Sequence, residues 1–446
     1  MIQQLVIQSS VDDDNRAANT SRLINCYKQA GDENVVLKAV PGTQAHVSLG
    51  DVFLKAMERI GGEIYAAANG RLYRVTGTAV TDLGAVSFGE TVMSSNNGSL
   101  TVAANGIYYV WDGTSLDKPT GANFSEVGSV GYLGQYTLLT QKDGAQFAWS
   151  DPADPKTLPA LNFSTADGRD DKILRGMAIG GRWVIFKETS REVWYQTGQS
   201  GADAFKRMAG AVIDTGLKSS GLVTPIDQGA FFVGDDNIAY ITDGVGQRPV
   251  STVAVNTSLA QKDPTHCFFY EAEGQKICVI RFSDRPAWCL DLATMEWHER
   301  AEDVTHDPWS AIASVKLGDA WYVGTNLGKI MKLSQNNVDA DFPLKRTIVS
   351  RTFGDGANRF TVPKIEVYGR VGYSDLGRDA QIMMRISRDG GQTWSREKWR
   401  SMGDYGEYGK RAVWRAMGQA RKLTLELSLT DPAEIPVYND FDLEVA

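Results

Sequence analysis

"GSLTVAANGIYYVWDG", residues 98–113, sets an apolar stretch, an Asn105-Gly106 pair and a second apolar stretch in a row. Asn-Gly tolerates the positive φ of tight hairpin turns. The flanking Val, Ile, Tyr and Trp suit a pleated surface. The segment reads as a β-hairpin, and the same pattern recurs along the chain. It appears as "GEIYAAANGRLYRV" from 62, "GQYTLLTQKDGAQFAWSDP" from 134 and "GRWVIFKETSREVWYQTG" from 181. It continues as "GAFFVGDDNIAYITDG" from 229, "GQKICVIRFSDRPAWCLD" from 274 and "GDAWYVGTNLGKIMKLSQ" from 318.

Successive starts lie 36, 36, 47, 48, 45 and 44 residues apart. A period near 45 fits one four-stranded propeller blade per repeat, the hairpin being its inner or middle pair. The direct count is about seven blades, with six to eight compatible, and the two short intervals read as a trimmed blade. A large β-sandwich with hairpins at accidental spacing is the alternative. Asn237 in "GDDN" (234–237) and Gly328 in "LGK" (327–329) are the expected turn residues of later units.

Beyond "NNVDADFPLKR" (336–346) the text changes. "KIEVYG" (364–369), "DAQIMMRIS" (379–387) and "RKLTLELSL" (421–429) read as longer strands. In the last, Leu423, Leu425, Leu427 and Leu429 share one face and Thr424, Glu426 and Ser428 the other, the period of a half-buried strand. The expected organisation is an N-terminal arm and strand (1–34) joining a platform, a β-propeller (35–343) and an antiparallel β-sandwich platform (344–446). The whole chain is expected to be all-β.

Composition narrows the function. The 446 residues are 42% hydrophobic and 22% charged, ordinary for a globular protein, with 45 Gly and 10% aromatics favouring turns and strands. A net charge of −8 argues against a nucleic-acid-coating surface. That charge is divided: residues 344–446 carry 17 Lys/Arg and 14 Asp/Glu, the remainder 29 and 40. Opposite-signed domains suit an assembled object whose parts dock on different partners, or two solvated domains with no electrostatic purpose. No apolar run approaches a membrane span. The start, "MIQQLVIQSSVDDDNR", lacks the pattern of a signal peptide, which predicts a chain kept in the cytoplasm.

Chemistry-bearing motifs are sparse. Cys26, Cys267, Cys278 and Cys289 form no C-x-x-C pair, and His266-Cys267 with Cys278 reads as core filler rather than a metal site. "VDDDN" (11–15) lacks the spaced ligands of a calcium loop. There is no Walker loop, G-x-S-x-G or H-E-x-x-H. No catalytic, cofactor or metal residue is expected. "SREKWR" (395–400) sets Arg396, Lys398 and Arg400 at alternate positions beside Trp399, a face for nucleic acid or an acidic protein, or simply a wet face.

Ser387-Arg388-Asp389-Gly390-Gly391-Gln392-Thr393-Trp394 matches the Asp-box pattern S-x-D-x-G-x-x-W, familiar from sialidases. Its duties are in folding. Ser387 and Asp389 bond to turn backbone, Gly390 and Gly391 supply permissive φ, and Trp394 packs beneath. A sialidase would repeat the box blade by blade and would need an arginine triad, a Tyr nucleophile and an acid/base Asp. One full box, placed outside the propeller segment, favours a structural hairpin clamp over a glycosidase or glycan-binding receptor protein.

Both ends of the chain resemble the packaged-DNA stabilization proteins, the tail hub or nozzle subunits of short-tailed bacteriophages. "NTSRLINCYKQAGD" (19–32) carries an R-x-x-N-x-Y segment at Arg22, Asn25 and Tyr27, followed by Pro41-Gly42; Lys28 stands where the family has Pro. "GKRAVWRAMGQARKLTLELSLTDP" (409–432) places Arg411, Trp414, Arg415, Gly418 and Arg421 in a familiar R-x-x-W-R-x-x-G-x-x-R arrangement. The resemblance implies a structural subunit of a homohexameric ring below the portal and adaptor, with no cofactor. Such a hub retains packaged DNA, lets it pass on ejection, and carries a tailspike, fibre or tail needle. It implies a virion tail protein assembled in the host cytoplasm, without membrane insertion. Arg22, Asn25, Tyr27, Arg411, Trp414, Arg415 and Arg421 are the candidate interface or motif residues. An acidic channel wall would repel the duplex and keep it mobile, since each basic contact strengthens backbone binding. The sandwich, with strand 2–8 added, is the expected adaptor-facing platform.

Overall fold

The computed structural model describes residues 2–4, 10, 21–29, 36–227, 229–340, 342–354, 356–369, 371–373, 376–433 and 437–444. The triple-Asp segment 11–15 lies outside them. The chain is all-β apart from the short helix Val253–Gln261 and one 3-10 turn, counting the described residues.

Five propeller sheets are consecutive meanders: 54–85, 91–117, 127–165, 173–213 and 223–249. A sixth takes Ala311–Leu317, Ala320–Thr325 and Lys329–Ser334 and gains its outer strand, Gly42–Ser48, from the N-terminal side. Each repeated hairpin is the middle pair of strands in its unit. Asn69-Gly70 joins Glu63–Ala68 to Arg71–Thr76, and Asn105-Gly106 joins Ser99–Ala104 to Ile107–Trp111, with positive φ at all four turn residues. Two-residue turns of that hand match the twist of the flanking strands, which is why Asn-Gly signals them.

First strands of neighbouring units pack on one another around a central axis over most of the circuit, and Ala311–Leu317 meets Leu54–Ile60 to close the ring. Close approach needs glycine in places. A Cβ on Gly131 or Gly176 would stand 2.6 or 2.2 Å from the fully buried Trp183 indole, which fills the gap between two adjacent first strands.

Six blades are separate four-stranded sheets, one fewer than the direct count of about seven and within the six to eight compatible with the repeat. The repeat at 274–291 is built into something larger. Pro264–Ala272, Gln275–Phe282, Ala287–Asp291 and Trp297–Glu302 form a meander seated in the ring between the fifth and sixth sheets. The meander then runs on through Arg22–Ile24, Arg346–Val349, Thr424–Leu429, Gln381–Ser387 and Lys398–Ser401 as one ten-stranded sheet. A period read along the sequence cannot show that a unit's last strand has a further neighbour.

The second layer of the sandwich orders Cys26–Gln29, Val36–Ala39, Val437–Glu444, Phe360–Gly369 and Ala412–Ala420, with Ile2–Gln4 also pairing Val437–Glu444. Between the layers lie Leu23, Cys26, Leu37, Ile348, Ile365, Ile386 and Trp414. The four leucines 423–429 share that core, but Thr424, Glu426 and Ser428 are buried too. The expected half-buried strand is paired along both edges and covered on both faces, with Arg385 of the neighbouring strand lying over the outer face and satisfying Glu426.

Candidate functional site

The weld between propeller and sandwich is the strand Arg22–Ile24. It runs antiparallel to Arg346–Val349 and meets Trp297–Glu302 in parallel at Ile24 opposite Glu299. The R-x-x-N-x-Y residues converge there. Arg22 donates from Nε to Glu299 Oε1 at 2.9 Å and from Nη2 to Oε2 at 2.5 Å. Glu299 also accepts from the Ser10 hydroxyl at 2.7 Å and faces Arg285 at 3.5 Å. Burial alone would raise this carboxyl; Arg22, Arg285 and Ser10 outweigh it and hold it at about 2.

Asn25 is fully buried at φ 57°. Its side-chain carbonyl accepts from Ala301 N at 2.9 Å and Arg300 Nη1 at 3.1 Å, and its amide donates to Lys345 O at 2.8 Å. Arg300 extends the network to Asp339 at 2.7 Å and lies over the Trp309 ring; Asp339 accepts from Thr43. Tyr27 packs with Val40 and Leu344 and donates to Glu273 at 3.3 Å. These three motif residues therefore act inside the chain, binding 22–27 to 299–301 and 339–345.

The C-terminal motif divides. Trp414 is fully buried and donates its indole N–H to Lys398 O at 2.9 Å. Arg411 pairs with the buried Glu366 at 3.1 Å. Arg421 donates to Ala357 O at 2.8 Å. Arg415 is exposed, opposite Lys364.

The Asp box closes the loop between Gln381–Ser387 and Lys398–Ser401. Ser387, buried, donates to Asp389 Oδ1 at 2.6 Å and accepts from Gly391 N at 2.8 Å. Asp389 accepts from Gln392 N at 3.0 Å, Thr393 N at 2.9 Å and the Thr393 hydroxyl at 2.5 Å. The Ser387 hydroxyl first, then Thr393 and Gln392, hold its carboxyl far below the usual range. Gly390 and Gly391 take φ of 74° and 90°. Trp394 lies against the Arg385 guanidinium, 5.5 Å from ring centre, and Arg385 continues to Glu426. The Asp389 carboxylate is committed to its own turn.

The propeller axis encloses about 820 Å³. Lys55, Lys142 and Lys218 line it with Glu58, Glu90 and Asp143. Burial pushes Glu58 up to about 7 and pulls Arg175 down to about 10 and His266 to about 4. All four cysteines are free and buried, Cys26 being pushed up to about 12, and no cluster of metal-ligating groups occurs among the described residues. No helix among them is long and apolar enough to cross a membrane.

Sequence reasoning missed Ser10, Glu299, Arg300 and Asp339. The available signal was "WHERAE" (297–302), where His, Glu and Arg interrupt a strand between buried apolar neighbours.

Two family descriptions match in order. "Bacteriophage P22 Gp10, beta-propeller" covers residues 9–337 and "Bacteriophage P22 Gp10, beta-sandwich" covers 345–440. No curated protein matches the chain. Solved structures with overlapping architecture include the computationally designed Ika8 protein, at 13% identity and TM-score 0.40, covering 74% of this chain and 100% of that one. BamB from Moraxella catarrhalis aligns at 10% and 0.40, covering 75% and 98%. YCF48 bound to D1 peptide aligns at 11% and 0.43, covering 66% and 99%.

Proposed function

We propose, from the premise that this chain belongs to the Bacteriophage P22 Gp10 family of phage tail-hub and stabilising proteins, that it is one subunit of a sixfold ring continuing the portal–adaptor channel. In this reading the ring retains packaged DNA and lets it pass on ejection, and it is assembled in the host cytoplasm before joining the virion tail. The sandwich meets the adaptor, and the propeller lies outward or downward toward tailspikes, fibres or a plug.

The observation that carries the reading is the continuous ten-stranded sheet. A subunit holding back packaged DNA must transmit load between its domains, and backbone ladders plus a buried charge network do so without a hinge. Asp389, occupied by four turn hydrogen bonds, supports a clamp rather than an acid/base role.

The test is negative-stain imaging of the purified chain, alone and with the portal–adaptor complex of its phage. A sixfold ring, above all one seen only with the adaptor, is expected. A monomer that ignores the adaptor would overturn the hub subunit.

A further inference from the structure

The propeller axis gathers charged side chains that the fold leaves without partners. Its wall is built mainly from first strands of the sheets. Register slips between Leu54 and Ala56, Ile173 and Arg175, and Pro264 and His266 bulge three of them. A bulge re-aims the side chains beside it. Arg175 and His266 follow their slips directly, Glu58 stands two residues beyond Ala56, and all three line the cavity.

Arg175 is the central group. Its Nε is buried with no hydrogen-bond partner, and its guanidinium has no ion pair among the described residues. Glu58 and Glu90 act on it only through space. Two further buried side-chain atoms on the wall lack a partner, His266 Nδ1 and Trp321 Nε1. All three are nitrogens, and those of Arg and Trp can only donate. No side-chain oxygen of the wall is left in that state among the described residues. The cavity is short of an acceptor.

The other charges agree. Lys218 is taken up by Asn237 and by Leu259 O at 2.7 Å, and Lys316 by Glu271 at 2.6 Å. Lys142 has no ion pair among the described residues, and Lys55 lies over the Phe88 ring. Arg59, Glu90 and Asp143 are exposed, and Glu90 accepts from Ser220. Glu58 is half-buried, and burial, opposed by Arg59 and Arg175, leaves its carboxyl at about 7. Near neutral pH about half of it is protonated and can itself donate. His266, held at about 4, adds a neutral ring and no charge.

We propose that the propeller axis binds a small oxyanion, a carboxylate or phosphate compound, received on the Arg175 guanidinium with Lys55 and Lys142 beside it and the Glu58 carboxyl as a further donor. A planar guanidinium fork matches either anion. The volume of about 820 Å³ is that of a small-molecule site. The site belongs to the single chain and stands apart from the ring reading above.

The experiment is calorimetric titration of the purified full chain with succinate and, separately, with sulfate, a phosphate stand-in that keeps its charge across the pH range used. One saturable site per chain, with a Kd of about 1 mM or tighter, is expected for at least one probe. Succinate alone would assign a carboxylate ligand, and sulfate alone a phosphate. Arg175→Met is expected to weaken binding at least about tenfold. Arg396→Glu, an equal or larger charge change at an exposed sandwich position, is expected to leave it unchanged. Wild-type affinity should fall about tenfold from about pH 6 to about pH 8 as Glu58 loses its proton, and in Glu58→Gln it should stay level.

No saturable binding of either probe would overturn the site. So would a folded Arg175→Met, checked by circular dichroism, that binds like the wild type. Should Arg175→Met not fold, Glu58→Gln decides, and a pH dependence equal to that of the wild type would overturn the assignment.

Discussion

Arg22 and Glu299, 277 residues apart in sequence, face each other through two parallel N–H···O bonds across the seam where propeller and sandwich become one sheet. The carboxylate is fully buried, so the guanidinium decides whether the seam tolerates a charge. Removing one partner of a buried pair costs more than the pair itself contributes.

Arg22→Ala is expected to destabilise the protein by about 3 kcal/mol, read as a lower urea midpoint. Arg22→Lys keeps the charge and loses the planar fork, so it falls between wild type and alanine. A variant with the wild-type midpoint would show that Arg285 alone suffices.

Asn25 combines two roles that substitutions separate. Asn25→Gly keeps the φ of 57° accessible but strands Ala301 N and Arg300. Asn25→Ala loses those bonds and also strains the backbone, so it should be the less stable by about 1 kcal/mol. Equal stabilities would mean the left-handed conformation is not retained.

Acid should act at the seam, through His298 and His306, and at the propeller axis, through His266. Burial first, and neighbouring cations second, hold His266, His298 and His306 at about 4, 3 and 4 against an ordinary 6.5. The unfolded chain binds these protons near pH 6.5 and the folded chain does not. Their contribution is therefore complete above about 6.5 and lost as pH falls toward 3. Glu299, depressed from 4.5 to about 2, adds a second loss below 4.5. Urea midpoints at stepped pH should decline below 6.5 and steepen below 4.5. In Arg22→Ala the second component should shrink.

Gly176→Ala drives a methyl into Trp183 and is expected to cost about 1–3 kcal/mol by overpacking. In a Trp183→Phe background the same change should cost less. The cycle of four unfolding free energies measures the coupling, and strict additivity would show that the indole is not the obstacle.

Asp389→Ala should loosen a turn rather than the fold. Amide exchange at Gln392 and Thr393 should accelerate, while the global unfolding midpoint stays near wild type. A large fall in midpoint would make the box a core element.

What the sequence disclosed follows from distance along the chain. Asn69-Gly70 and Asn105-Gly106 announce their turns because the determinant and the structure are the same two residues. The Asp box is legible for the same reason, Ser387 and Asp389 serving amides two to four residues away. Glu299 is not legible, since its partners stand at positions 10, 22 and 285. The merging of the 264–302 meander into a larger sheet hangs on the three residues Arg22–Ile24, too short a strand for any periodicity. Family likeness marks Arg22, Asn25 and Tyr27, and only their contacts explain why those residue types stand there.

The pairing of early strands with late ones also sets a clock. Gly42–Ser48 can settle only after Lys329–Ser334 exists, Arg22–Ile24 after Arg346–Val349, and Ile2–Gln4 after Val437–Glu444. At a translation rate of about 5–20 residues per second, those first strands wait tens of seconds on the ribosome with their partners unmade. A chain that stops before 329 cannot close its propeller, and one that stops before 346 cannot weld its sandwich. An incomplete chain thus lacks the closed, welded body of the full-length one.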